Sequence, residues 1–360
     1  MKKLLIDLLR IPSVSSDISQ LHKIVDYVEN YFSGIDCIIE KFEFNNKPSI
    51  VVKNFEGKKA DIVLNWHLDV VPPSEENQFD PYEENWKIYA RGAWDMKSWV
   101  AIMMKLMKDL LKAGFSKKKI SLILTTDEEV GGFDWVKKLV NLWYTGNIVL
   151  IPDAWYLDKI VYAGKGFIHL DLEFYGKSAH ASRCWLGDNA IDNMINFYTF
   201  IKSYIQDDKK LYYDDNHWGS SVCLDVVEWG KATNMLCDLV KAKIDIRFTE
   251  DFTLDSLLDL IDKGLKRFNG KLVNLLTGDL LFSSPDNIEI QKYYKIAKNY
   301  IPNVELGKEH WGSDWRFFSA AWSIVLLHRP TFGNGHWKKE WVKVKDMEII
   351  YNIYKDFILL

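Results

Sequence analysis

The stretch DIVLNWHLDVVPP (61–73) opens on a short apolar run and closes on a histidine, an aspartate and two prolines. Residues 61–66 read as a buried strand, because the run is too short for a helix and is bounded by turn residues. His67 and Asp69 then sit at a strand end, where open α/β sheets place their ligands. A second apolar run, ISLILTT (120–126), leads in the same way into Glu128 and Glu129 of TTDEEVGG (125–132). Between the two, RGAWDMKSW (91–99) supplies Asp95 just ahead of a helical pattern.

Outward from these segments, residues 1–165 alternate helix signals (17–33, 97–113) with strand signals (48–54, 61–66, 120–126, 147–152), which predicts a mainly parallel α/β sheet. The pattern changes at Gly166. A strand over 166–176, a helix over 188–206, strands over 220–229 and 238–248, a helix over 253–268 and a strand over 271–276 follow. That β-α-β-β-α-β order is the order of a ferredoxin-like unit. The remainder returns to α/β character, with a helix over 286–300, a strand over 323–328 and a closing helix over 345–358. The expectation is an α/β protein of two domains: a catalytic domain in two parts (1–165 and 278–360) split by an inserted domain (166–277).

Length and composition fit this reading. At 360 residues the chain exceeds one simple core. A net charge of −4 gives no basic footprint, so neither nucleic acid nor an acidic membrane is an expected partner. The N-terminal MKKLLIDLLRIP is broken by Asp7 and Arg10 and reads as an amphipathic helix ending near Pro12, not as a signal peptide. Four cysteines (Cys37, Cys184, Cys223, Cys237) show no CxxC spacing, which suits a reduced, cytoplasmic protein.

The chemistry suggested is hydrolysis at a two-metal site, which needs mixed His and carboxylate ligands, a bridging oxygen donor and a base for water. His67 can ligate through a ring nitrogen while Asp69 orients that imidazole. Asp95 can bridge. Glu128 and Glu129 are adjacent, so their side chains diverge; one can bind metal while the other handles the water proton. Each residue taken singly reads as a solvated turn residue, and the case rests on three such segments at three strand ends.

These segments resemble the M20 metallopeptidase and amidohydrolase family, which includes succinyl-diaminopimelate desuccinylase, acetylornithine deacetylase, aminoacylase and several dipeptidases. The resemblance runs from IPSVSS (11–16) through HLDVVPP, DMKS and DEEVGG to IPDA (151–154), GKSAHASR (176–183) and GNGHWKKEWV (333–342). It implies a zinc-peptidase-type catalytic domain with a ferredoxin-like dimerisation domain. It further implies two zinc ions, or cobalt or manganese, on His67, Asp95, Glu129, Asp153 and His336. Glu128 becomes the general base and Asp69 the support of His67. His180 becomes the residue that reaches the partner subunit's site and polarises the scissile carbonyl, which implies a homodimer. Asn234, Arg247, Gly312, Ser313 and Arg316 match substrate-contact positions; Arg suits bidentate carboxylate recognition, and the alternative for Arg247 is a surface strand residue in an ion pair. His310 and His328 read as structural. The implied reaction is amide hydrolysis of an N-acyl amino acid by a desuccinylase- or deacetylase-like enzyme. The alternatives are a dipeptidase or aminopeptidase and, in another class, an inactive metal-free scaffold.

One anomaly runs through the motifs. The chain has 15 tryptophans. Trp66 precedes His67, Trp94 precedes Asp95, and Trp99 opens the following helix; Trp155, Trp229, Trp315, Trp322 and Trp337 lie in similar turn or close-packing contexts. Trp86, Trp135 and Trp143 raise the same question. Many of these positions are glycine in the family, the residue that tolerates φ > 0 and close backbone approach, and an indole there overpacks. The expectation is that the source organism reads UGA as glycine. The alternative is that the tryptophans line an aromatic pocket. Trp185, Trp218 and Trp341 read as ordinary.

Overall fold

The computed structural model describes residues 1–132, 135–154, 156–213 and 217–360; Trp155 lies outside them. The chain forms two compact units. One comprises Met1–Ala163, Phe282–Glu309 and Ser313–Leu360, the other Gly164–Leu281 and His310–Gly312.

The first unit is built on a mixed sheet with strand order Ile38–Phe44, Lys47–Lys53, Ile120–Thr125, Ala60–His67, Gly146–Ile151, Ile324–Leu327 and Lys159–Gly164. Its centre is parallel: Ala60–His67 pairs Ile120–Thr125 on one side and Gly146–Ile151 on the other, and Ile324–Leu327 extends the run. The flanks are antiparallel, so the expectation of a mainly parallel sheet holds only for these four strands. The cause on one flank is local. Asn45 and Asn46 have φ of 51° and 60°, and such a two-residue turn returns the chain as a hairpin instead of crossing over. The central strands are mostly apolar and buried, with Ile62, Val63, Leu64, Leu122, Leu124, Val149 and Leu150 at most 2 % exposed, as strands covered on both faces require.

Helices flank this sheet. Lys2–Leu9 buries Leu4, Leu5, Leu8 and Leu9, a three-to-four-residue spacing that makes one apolar stripe. Asp17 caps Ile18–Phe32 by accepting from the Gln20 amide. Lys97–Lys112 is buried along most of its length. A small antiparallel sheet, Phe332–Gly333, Trp341–Lys343, Lys87–Tyr89 and Tyr82–Glu84, joins segments far apart in sequence through the pairs Trp341↔Tyr89 and Val342↔Ile88.

In the second unit, Gly166–Tyr175, Ala190–Ile205, Ser221–Trp229, Leu239–Phe248, Leu254–Arg267 and Gly270–Gly278 follow in the order strand, helix, strand, strand, helix, strand. The sheet is antiparallel with Leu239–Phe248 and Gly166–Tyr175 at its centre. Its core joins Phe174, Ile244 and Ile246 of the sheet to Phe197, Ile201, Leu257 and Ile261 of the helices. Leu239–Phe248 alternates exposed and buried residues along its length, because one face packs on the helices and the other does not.

Candidate metal centre

Three of the four parallel strands end in chemistry-bearing residues. Ala60–His67 ends on His67, Ile120–Thr125 leads through Asp127 into a 3₁₀ turn Glu128–Val130, and Gly146–Ile151 leads to Asp153. Asp95 sits two residues before the helix Lys97–Lys112, and His336 lies in the loop between Phe332–Gly333 and Trp341–Lys343. The strands bring these ends together. Asp95 lies between two imidazoles, its Oδ1 3.1 Å from His67 Nε2 and its Oδ2 2.9 Å from His336 Nε2. Glu129 Oε1 stands 3.6 Å from His336 Nε2, and Glu128 Oε2 stands 3.8 Å from His67 Nε2. Ligand atoms of His67, Asp95 and Glu129 all fall within 4.8 Å of one another.

Asp69 holds this arrangement from behind. Its main-chain carbonyl is 2.9 Å from His67 Nδ1, which fixes the tautomer and leaves Nε2 for a ligand. The orienting contact is therefore the carbonyl; the carboxylate stands farther off, at 3.4 Å. That carboxylate instead accepts from Ser15 Oγ at 2.8 Å and from the Glu128 and Glu129 amides at 3.3 Å each. It thus ties the His67 strand to the turn that carries both glutamates. The turn is braced from a second side as well. Arg316 Nη2 donates to Gly131 O at 2.7 Å. Gly132 has φ +65°, and a Cβ there would meet Asp314 Oδ1 at 1.9 Å, so only glycine fits.

The charges are those of a cation site. Burial, then Asp314, Asp95 and Glu129, push the Glu128 carboxyl well above its ordinary range, against the pull of His67. Burial likewise raises Glu129. Burial works to raise Asp95, yet its bonds to His336 and His67 hold it well below the ordinary range. His336 is raised to about 10 by its contacts with Asp95 and Glu129. Burial opposes the charge on His67, but Asp69 and Asp95 hold its pKa well above the imidazole value. Glu129 Oε1 is buried with no hydrogen-bond donor. Without a cation, protons must stand in for the positive charge among these carboxylates; one or two divalent ions with mixed N and O ligands would supply it instead.

The other expected site residues are distributed as follows. Asp153 is half-buried and outside the 4.8 Å group; its charge is felt by Arg329 and Glu309. Ser313 and Arg316 are both 6 % exposed, so Arg316 braces the glutamate turn from inside the fold. In the second unit, His180 is exposed, caps the turn Ala181–Leu186 and has Nδ1 2.8 Å from Ser182 Oγ. Asn234 stands beside it, because Ala181 N donates to Asn234 O and His180 bridges Met235. Arg247 is paired through both Nε and Nη2 with Asp245, at 2.8 and 3.0 Å, which is the ion pair the sequence left open. Gly312 lies against the Phe167 ring. His328 is fully buried between Tyr293 and Leu157.

Among the buried charges near the centre that escaped the sequence reading are Glu340, Arg329 and Lys97. Glu340 accepts from the Trp94 and Asp95 amides and pairs with Arg91. Arg329 donates to Ala154 O and Trp94 O. Lys97 donates to Ile11 O, and burial lowers its pKa to about 7. All three lie in or beside quoted motifs, but charge alone gives no hint of burial. The tryptophans crowd the same region. Trp66 is 3 % exposed with its ring centroid 5.0 Å from that of His67; Trp94 stacks on Phe332 and meets His336 edge-on. The buried Nε1 atoms of Trp66 and Trp99 have no acceptor, whereas Trp135 Nε1 donates to Lys47 O.

A family model described as Peptidase family M20/M25/M40 matches residues 63–360. The chain belongs to this family. It is 27 % identical over 359 residues to a succinyl-diaminopimelate desuccinylase of Wolbachia pipientis wMel, covering 93 % of this chain and 87 % of that one. It is 26 % identical over 312 residues to an acetylornithine deacetylase of Buchnera aphidicola subsp. Schizaphis graminum, covering 83 % and 81 %. Among solved structures, aminopeptidase PepT of Bacillus cereus superposes with a TM-score of 0.74 at 17 % identity, covering 99 % and 98 %. An M20 family metallo-carboxypeptidase of Sulfolobus solfataricus superposes with 0.70 at 18 %, with the same coverage. The chain is therefore a hydrolytic enzyme of a metallopeptidase and amidohydrolase family whose members are typically dinuclear metal enzymes. Among the described residues, no helix is long and apolar enough to cross a membrane.

Proposed function

We propose that this M20 enzyme hydrolyses the amide bond of an N-acyl amino acid, with Glu128 as general base. The observation that carries the reading is the Asp95 carboxylate between His67 and His336, with Glu129 and Glu128 on either flank. His67, Asp95, Glu129, His336 and Asp153 are the proposed holders of two divalent ions, zinc or else cobalt or manganese. When bound, the ions supply Lewis acidity toward the amide carbonyl and acidify water. Glu128 takes the proton of the attacking water, a role served by a carboxyl whose affinity for protons is raised by burial, and then delivers it to the leaving amine nitrogen.

The second unit is proposed to be the family's ferredoxin-like dimerisation domain, spanning 166–277, with catalytic-domain parts over 1–165 and 278–360. His180, exposed and anchored through Nδ1, would then polarise the carbonyl in the site of a second copy. Asn234, next to His180, and the Gly312–Ser313 segment are proposed to contact substrate. Arg247 would have to leave Asp245 to join them.

The two sequence relatives named above are a desuccinylase and a deacetylase, whereas the two peptidases are similar in fold at 17–18 % identity, and this favours a deacylase over a peptidase. One panel tests it: N-succinyl-diaminopimelate, N-acetylornithine and dipeptides, each with added metal and with EDTA. EDTA-sensitive turnover of an N-acyl amino acid is expected. Preference for dipeptides replaces this reading with the peptidase one, and a folded chain inert toward the panel with metal present points to a scaffold.

A further inference from the structure

We propose that Glu340, held by Arg91, is a positioning residue for Asp95; the proposal rests on the metal-site reading above. Glu340 is fully buried. Its Oε1 accepts from two successive amides, Trp94 N at 2.8 Å and Asp95 N at 3.2 Å, and its Oε2 accepts from Arg91 Nη1 at 2.5 Å. Arg91 is itself buried, and its Nη2 donates to Pro72 O and Ser74 Oγ. The ladder explains why these groups meet: Trp341 pairs with Tyr89, so Glu340 and Arg91 emerge from the same end of two paired strands. His336 lies four residues before Glu340. One segment therefore contributes an imidazole to Asp95 Oδ2 and a carboxylate to the Asp95 main chain. A buried carboxylate bonded to consecutive amides sets the direction of the backbone between them, and with it where the Asp95 side chain can reach.

The test titrates Co²⁺ into the full-length parent, E340Q and R91K, following the visible absorption of the bound ion and the heat of binding. Affinity that falls about 10- to 100-fold in folded variants supports the proposal; R91K keeps the buried positive charge and decides the matter if E340Q does not fold. Both variants binding Co²⁺ within twofold of the parent, with an unchanged spectrum, would overturn it. A parent that binds no Co²⁺ overturns the metal-site reading itself and this proposal with it.

A different observation carries a second inference: we infer that positions 86, 143 and 322 are glycine in the native protein, encoded by UGA. Trp86, Trp143 and Trp322 have φ of +63°, +72° and +64°, the left-handed region that costs a bulky residue and not glycine. Each sits in a motif that selects glycine. Asn85 and Trp86, both at positive φ, form the two-residue link of the hairpin Tyr82–Glu84/Lys87–Tyr89, where Asn-Gly is the preferred pair. Trp143 follows the helix Val136–Asn141, with Tyr144 N donating to Leu139 O and Trp143 N to Val140 O. Trp322 follows Trp315–Ala320 with the same pair of bonds, Ser323 N to Phe318 O and Trp322 N to Ser319 O. This is the Schellman pattern, whose left-handed residue is usually glycine. The chain carries its own control: after Lys97–Lys112 the same two bonds, Phe115 N to Leu110 O and Gly114 N to Leu111 O, surround a glycine at φ +64°. Nor does burial offset the strain, since the indoles are 79 %, 73 % and 96 % exposed.

Tandem mass spectrometry of the protein purified from its source organism decides this, together with the codons of its gene. Glycine at all three positions is expected, with UGA there and UGG at Trp185, Trp218 and Trp341. Tryptophan at any of the three in the native protein, or UGG in their codons, overturns it.

Discussion

On the proposed mechanism, Glu128 is the residue whose removal would separate binding from chemistry. It flanks the ligand group, 3.8 Å from His67 Nε2, without joining it. Glu128→Ala is expected to retain metal, read by elemental analysis, while kcat falls at least about 10²-fold; near-normal turnover would show that another group moves the proton. The tryptophans pose the other question at this scale. If the left-handed positions are strained, W86G, W143G and W322G in a recombinant chain should each raise the calorimetric Tm by about 2–4 °C, corresponding to about 1 kcal/mol apiece. A lowered Tm in all three would remove the strain argument. His67, Glu128 and Glu129 stood out in the sequence because each follows an apolar run within one short motif, and Asp95 because it stands just ahead of a helical pattern. Glu340 and Arg329 were not, because nothing in a lone charged residue reports that it is buried against a backbone 235 or more residues away.

Among elements, the joint between the strand Ala60–His67 and the turn Glu128–Val130 matters most. Asp69 spans it with one carbonyl and one carboxylate. Asp69→Ala is expected to weaken metal binding by about 10- to 100-fold in a folded protein, since the glutamate turn loses its carboxylate anchor while the carbonyl that meets His67 stays in place; unchanged affinity in a Co²⁺ titration would refute the joint. A second joint is sensitive to pH. His328, after the strand Ile324–Leu327, is fully buried, 2.9 Å from Tyr293 Oη and 2.6 Å from Leu157 O. Burial lowers its pKa to about 4, from 6.5. A depressed imidazole favours the folded state fully above pH 6.5, and that contribution drains away as pH falls through 4. The loss amounts to about 3 kcal/mol. Denaturation between pH 7 and 4 should show this slope in the parent and a shallower one in His328→Gln; parallel slopes would exclude His328 as the source.

At the scale of the molecule, a metal that binds only the folded state adds stability by mass action. Chelation should therefore lower the Tm by about 5–10 °C, taking ions at roughly a hundredfold excess over their dissociation constant, and Zn²⁺ or Co²⁺ should restore it. A Tm indifferent to chelator would argue that the centre is empty in the working protein. If the second unit pairs two chains, sedimentation should give twice the chain mass, and a monomer that still turns over substrate would remove His180 from the mechanism.

The sequence by itself determined the alternation of elements, the order strand-helix-strand-strand-helix-strand in the second unit and the ends at which the metal-type residues stand. These are local properties: apolar period, run length and turn residues are all read within a dozen positions. Only the tertiary structure decided that the sheet is parallel at its centre alone, that Asp69 meets His67 through its carbonyl and the glutamate turn through its carboxylate, that Arg316 braces that turn and that Arg247 forms an ion pair. It also decided that Glu340, paired with Arg91, accepts from the Asp95 amide. Each of these depends on strand pairing and burial between segments remote in the chain, where the loss of water makes a hydrogen bond or a charge pair decisive.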